Sequence, residues 1–179
     1  MNKEEKYGHL RQQVAALCEG ESDLIAKMAN VSALLHQEFG FWWTGFYRVA
    51  PACGVIQKSK DNIGLMDYSE AGRYELVLGP FQGPLACVHI GYGKGVCGTA
   101  WKERRTVVVP DVEQFPGHIA CSSESRSEIV VPVFQDEEVI AVLDIDSRDL
   151  NTFDEVDARW LERIAALLVT TNAYSLTTV

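Results

Sequence analysis

The segment EIVVPVFQDEEVIAVLDIDS, from Glu128 to Ser147, constrains the fold more than any other stretch of this chain. Two runs rich in Val and Ile flank a polar break at Gln135 and Asp136, which predicts two antiparallel strands joined by a tight turn. Further strands are read in GFWWTGFYRV, at Tyr74 to Leu78, in LACVHI and in RTVVVPDV, with GPFQGP as a turn. Strand alternation puts Trp43 and Tyr47 on one face of the first of these and Trp42 and Phe46 on the other. Helices are expected at both ends. Leu24, Met28, Val31 and Leu35 recur at helical spacing within about 22–38, and a shorter helix over about 3–17 precedes them. Near the C-terminus, Thr152 to Glu155 matches a capping box ahead of Val156, Trp160, Ile164, Leu167 and Leu168. A Gly-rich turn, GYGKG, opens one more short helix. Adjacent strands flanked by terminal helices indicate an α+β fold, an antiparallel sheet with helices packed on one side.

With 179 residues, 47% of them hydrophobic and 23% charged, the chain suits a single domain over 1–179. The expected division is N-terminal helices over about 3–38, sheet and pocket over about 41–147, and a C-terminal helix over about 153–172. Residues 51–73 read as an inserted loop of mixed polar and Gly content. The net charge of −9 is spread along the sequence without a basic cluster, so neither nucleic acid nor an anionic membrane is expected as a partner. The polar start, MNKEEKYGHLRQQ, contains no apolar core of a signal peptide, and no apolar run has membrane-spanning length. A cytoplasmic protein is expected. Five cysteines without an export signal favour reduced thiols over a structural disulfide framework.

Three of those cysteines lie in unusual contexts. Cys87 is expected on a strand face shared with Leu85 and His89, opposite the more apolar Ala86, Val88 and Ile90. Cys97 falls at the start of the helix after GKG, where free N–H groups and the helix dipole favour a thiolate and a depressed pKa. Cys121 sits in an irregular Ser-rich stretch three residues after His118, a setting that suits an exposed, activated sulfur. The bland alternative for each is burial as an inert small hydrophobe. Among the acids, Asp144 and Asp146 lie two apart on one strand, roughly 7 Å from each other by strand rise. Glu128 opens the neighbouring strand on the face of Val130 and can join them. Converging acids raise at least one carboxyl pKa and seat a ligand ammonium group; hydrated acids at a strand end, or a divalent ion, are the plain alternatives. A zinc module is not expected, since no Cys-x-x-Cys pair exists and thiols at 87, 97 and 121 follow no finger or ribbon spacing. A hydrolase elbow of the Gly-x-Ser-x-Gly kind is also missing.

Taken together, GPFQGPLAC, GKGVCGTA, DVEQFPGHIACSSESRSEIVVPV and VIAVLDIDS resemble the free methionine-R-sulfoxide reductases, stand-alone GAF-domain enzymes. The resemblance implies a GAF sheet of about six antiparallel strands, with helices on one face and a ligand pocket on the other. It implies reduction of free L-methionine (R)-S-oxide by thiolate attack, sulfenic acid formation and disulfide resolution. Cys121 is then the nucleophile, Cys87 the resolving thiol and Cys97 a second redox-active cysteine, with the order of Cys121 and Cys97 open. Glu128, Asp144 and Asp146 match the carboxylates that hold the substrate ammonium and act on the sulfoxide oxygen, and Trp43 packs against the S-methyl group. No metal, flavin or nicotinamide is implied; an external dithiol such as thioredoxin regenerates the enzyme, and a homodimer is allowed. The 51–73 segment is longer than the family's turn, and Cys18 and Cys53 have no counterpart in it. The rivals are a non-catalytic GAF sensor of a small molecule, which is expected to need an output domain after the last helix, and a redox-sensing regulator.

Overall fold

A computed structural model describes residues 1–52, 73–119 and 123–169. The inserted loop, apart from its edges, and Cys53 and Cys121 therefore lie outside the described residues. Two helices come first, α1 (Lys3–Cys18) and α2 (Leu24–Phe39). Asn2 and Glu5 form a reciprocal capping box on α1, and the Asp23 carboxylate accepts from the N–H groups of Ile25 and Ala26 at the start of α2. Six strands follow: β1 (Trp43–Pro51), β2 (Tyr74–Gln82), β3 (His89–Gly91), β4 (Val107–Val109), β5 (Ser127–Gln135) and β6 (Glu138–Ser147). Helix α3 (Gly95–Glu103) lies between β3 and β4, and α4 (Glu155–Leu168) closes the described chain.

The strands form one antiparallel sheet in the order β3-β2-β1-β6-β5-β4. One face is covered by α1, α2 and α4, through Tyr7, Leu10, Met28, Leu35 and Leu161 packed on Phe46, Ile129, Leu143 and Ile145. A second apolar cluster on the opposite face joins Trp43, Tyr47, Val130 and Val142 to Val96, Ala100 and Trp101 of α3. The expected α+β arrangement, an antiparallel sheet with the N- and C-terminal helices on one face, is the observed one, and α3 adds a helix on the other.

Several local expectations need correction. LACVHI is a strand only at its end, where His89 and Ile90 pair with β2. The carbonyls of Pro84 and Cys87 accept side-chain hydrogen bonds from Trp43 Nε1 and Tyr47 Oη instead, both at 3.1 Å. GPFQGP is not wholly a turn, since β2 runs to Gln82. Pro80 is tolerated there because β3 flanks β2 only over Glu75–Val77, leaving the outer side of the Pro80 stretch without a ladder to donate to. Trp42 precedes β1 and packs with the Trp43 cluster rather than with Phe46. The β5–β6 turn sits one residue later than read, at Asp136 and Glu137, both left-handed as a primed hairpin turn requires. The cap of α4 is Asp154 with Asp157, two residues beyond the expected start. Its buried face is correspondingly rotated onto Asp157, Leu161, Ile164, Ala165 and Leu168.

Candidate active site

The face of the sheet beneath α3 holds a small cavity, partly open to solvent. Its floor comes from the central strands. Register places Trp43 opposite Asp146 and Gly45 opposite Asp144 across β1 and β6, while Glu128 faces Asp146 and Val130 faces Asp144 across β5 and β6. Since side chains two apart share a face, Glu128, Asp144 and Asp146 emerge on one side together. Trp43 stacks on Phe81 at 5.4 Å and on Tyr47 at 5.9 Å, so the aromatic wall is itself braced. Trp42 lines the opening, with the Arg148 guanidinium 3.3 Å from its ring centre; Arg148 in turn pairs with Glu124 at 2.6 Å. That chain of contacts ties the segment leaving the Cys121 region to the cavity wall.

Helix α3 supplies the roof. Gly95 opens it at φ +58°, a conformation that favours glycine, and a side chain at Gly98 would approach the carbonyl oxygen of Gly91 to 2.5 Å. This close approach seats Cys97 in the third position of the helix, over the acids. Its sulfur lies within 4.8 Å of carboxylate oxygens of both Glu128 and Asp144, and the thiol hydrogen-bonds to Asp144. Cys97, Glu128 and Asp144 are only 4%, 6% and 6% exposed. Burial, then mutual repulsion, pushes the carboxyls of Glu128 and Asp144 well above the usual carboxylate range. Asp146 is pushed up to about 6, chiefly by burial, against a hydrogen bond from Ser125 that favours its charged form.

The depressed pKa expected for Cys97 is not found. Burial first, then the charges of Asp144 and Glu128, push this thiol well above its ordinary value. A helix N-terminus contributes about half a positive charge at its end, which is outweighed by desolvation and adjacent acids. His118 Nε2 stands 3.8 Å from Glu128 Oε2, and burial lowers the imidazole's pKa. Lys94 is the only lysine or arginine among the described lining residues.

Of the residues singled out from sequence, Trp43, Cys97, Glu128, Asp144 and Asp146 line this one cavity. Cys87 is half-buried at its edge, following the lining residues Leu85 and Ala86, and is disulfide-bonded. Cys121 itself lies outside them. Cys18 is a buried free thiol in the helical core, away from the cavity. Tyr47, Trp42 and Ser125 were not singled out for the site. Tyr47 carried a usable signal, sharing the Trp43 face, whereas Ser125 was hidden among other serines.

The profile of the GAF domain family matches residues 53–170. A free methionine-R-sulfoxide reductase from Escherichia coli is 40% identical, with 94% of this chain and 89% of that protein aligned. The solved structure of the Neisseria meningitidis free methionine-R-sulfoxide reductase in complex with its substrate is 45% identical, covers 94% of this chain and 89% of its own, and superposes with a TM-score of 0.78. This chain belongs to the free methionine-R-sulfoxide reductase family. Like other family members it carries the GAF fold, and a GAF domain-containing protein A from Dictyostelium discoideum, 48% identical over 93% of this chain and 92% of that one, falls in the same set of relatives. Among the described residues, no helix of this family member is long and apolar enough to cross a membrane.

Proposed function

We propose that the protein reduces free L-methionine (R)-S-oxide to L-methionine in the cytoplasm, as a single-domain enzyme without a bound metal or organic cofactor. The observation that carries the reading is the convergence of three carboxyl groups and a buried thiol in one small cavity, with a disulfide-bonded cysteine at its edge. Three acids, with no guanidinium among the described lining residues, suit an ammonium group, which a free amino acid has and a residue within a protein lacks. Trp43 offers a flat apolar wall for the S-methyl group.

In the reaction, the thiolate of Cys121 attacks the sulfoxide sulfur as a carboxyl of the Glu128, Asp144, Asp146 group protonates the departing oxygen. Carboxyls whose pKa burial raises well above the usual carboxylate range are suited to that role. Methionine leaves, and the oxygen stays on Cys121 as a sulfenic acid. The Cys87 thiol then displaces that oxygen as water, forming a disulfide. Two thiols are oxidised as one sulfoxide is reduced, and a thioredoxin-like dithiol restores them by exchange. Cys97 is the second redox-active thiol; its burial among acids argues against it as first attacker.

The test is to incubate the full chain with racemic free methionine sulfoxide and dithiothreitol and to resolve the epimers. Only the R epimer should be consumed, and Cys121→Ser should abolish the loss. No methionine formed by the intact protein would sink the proposal.

A further inference from the structure

The spacing of the cysteines excludes a zinc module made from sequence neighbours, but the fold assembles a donor set that spacing does not reveal. Cys97 Sγ and carboxylate oxygens of Glu128 and Asp144 lie within 4.8 Å of one another, on α3, β5 and β6. Asp144 Oδ1 is buried without a hydrogen-bond partner, on a residue that lines the cavity and is 6% exposed. His118 Nε2 stands 3.8 Å from Glu128 Oε2, a few tenths of an ångström beyond the separation of about 3.3–3.5 Å between nitrogen and oxygen ligands on one tetrahedral zinc, so a small shift of the imidazole brings it in as a fourth donor. One thiol, one imidazole and two carboxylates form a mixed soft and hard set that suits Zn²⁺ better than Mg²⁺ or Ca²⁺, which take oxygen alone.

We propose that Cys97, Glu128 and Asp144, with His118 as fourth ligand, form a site for Zn²⁺ that closes the cavity to an ammonium-bearing ligand. Binding forms a Zn–S bond and Zn–O bonds as the proton of Cys97 and any proton held by Glu128 or Asp144 pass to solvent, and no electron is transferred. The rigid strands β5 and β6 already hold two of the ligands, so little chain ordering opposes it. Zinc here is an occupant that competes for the site and not a cofactor of the reaction. The metal site stands on its donors alone; only the blocking of turnover rests on the reductase reading.

The decisive experiment titrates the full chain, kept in the form with the Cys87 disulfide intact and free of thiol reductants, with Co²⁺ as a spectroscopic stand-in. One equivalent should produce a thiolate-to-cobalt charge-transfer band, and one equivalent of Zn²⁺ should remove it. Cys97→Ser should lose the band, Glu128→Gln should weaken binding by at least about tenfold, and Cys18→Ser, in the distant helical core, should retain both. No band in the intact protein, or affinities unchanged in Cys97→Ser and Glu128→Gln, overturns the site. A second arm follows methionine formed in a single turnover by pre-reduced, desalted protein. Stoichiometric Zn²⁺ should suppress it and EDTA restore it. Full turnover with zinc bound overturns the blocking, and a protein with no turnover at all leaves the cobalt result to decide the site.

Discussion

At the scale of single residues, the site is an arrangement of groups kept out of their ordinary protonation states. Glu128 and Asp144 are buried together with Cys97, and each raises the cost of charging the others. Such a cluster is unfavourable when empty and favourable around a cation, a difference that can be spent on binding. Glu128→Gln keeps the shape and removes the charge that Glu128 takes on against a bound ammonium. A charge-assisted hydrogen bond to an ammonium contributes about 1.5–3 kcal/mol, so KM for free methionine sulfoxide should rise by roughly 10- to 100-fold. Steady-state kinetics with the purified variant check this, and an unchanged KM would remove Glu128 from the ammonium seat. The likeness to the reductase family made Glu128, Asp144 and Asp146 legible as a group, and their two-residue period alone put the two aspartates on one face. The protonation of Cys97 was not legible: it depends on acids that are 31 and 47 residues away in sequence.

At the scale of elements, α3 and the segment before β3 decide how the cavity is covered. The tight packing of Gly98 against Gly91 O sets the height of Cys97 above the acids. Gly98→Ala would force the helix from the turn, so the variant should unfold about 1–3 kcal/mol more easily and should lose turnover by more than its lost stability explains. Denaturant titration together with activity at low denaturant measures both. On the opposite face, Asp157 joins α1 to α4, accepting from Tyr7 Oη at 2.8 Å and from Lys3 Nζ at 2.7 Å. Asp157 is 1% exposed. Asp157→Ala leaves a buried hydroxyl without its partner, and a loss of about 2–4 kcal/mol in unfolding free energy is expected; Tyr7→Phe, which removes only the hydroxyl, should cost less. LACVHI shows why elements can mislead: its composition is that of a strand, yet Trp43 and Tyr47 take its carbonyls through their side chains.

At the scale of the whole molecule, the buried acids link stability to pH. Their folded-state pKa values are raised above the unfolded ones, so the folded chain binds more protons across the window between them. Their contribution is fully present below about pH 4 and is lost as pH rises, for Asp146 through about 6. Glu128→Gln should therefore raise the thermal midpoint above pH 7, by roughly 2–10 °C for about 1–3 kcal/mol in a chain of this size, and the gap should close near pH 4. Calorimetry across that range tests it, and a gap independent of pH would contradict the sign. From sequence alone came the sheet and its hairpin, the helices at both ends, the shared face of the aspartates and the family, because these rest on local periodicity and on motifs contiguous in the chain. Only the tertiary structure decided that Trp42 joins the cavity wall, that Cys97 is held as a thiol and that this thiol meets two carboxyl groups across α3, β5 and β6. Burial and the approach of distant charges are properties of packing, and no local pattern encodes them.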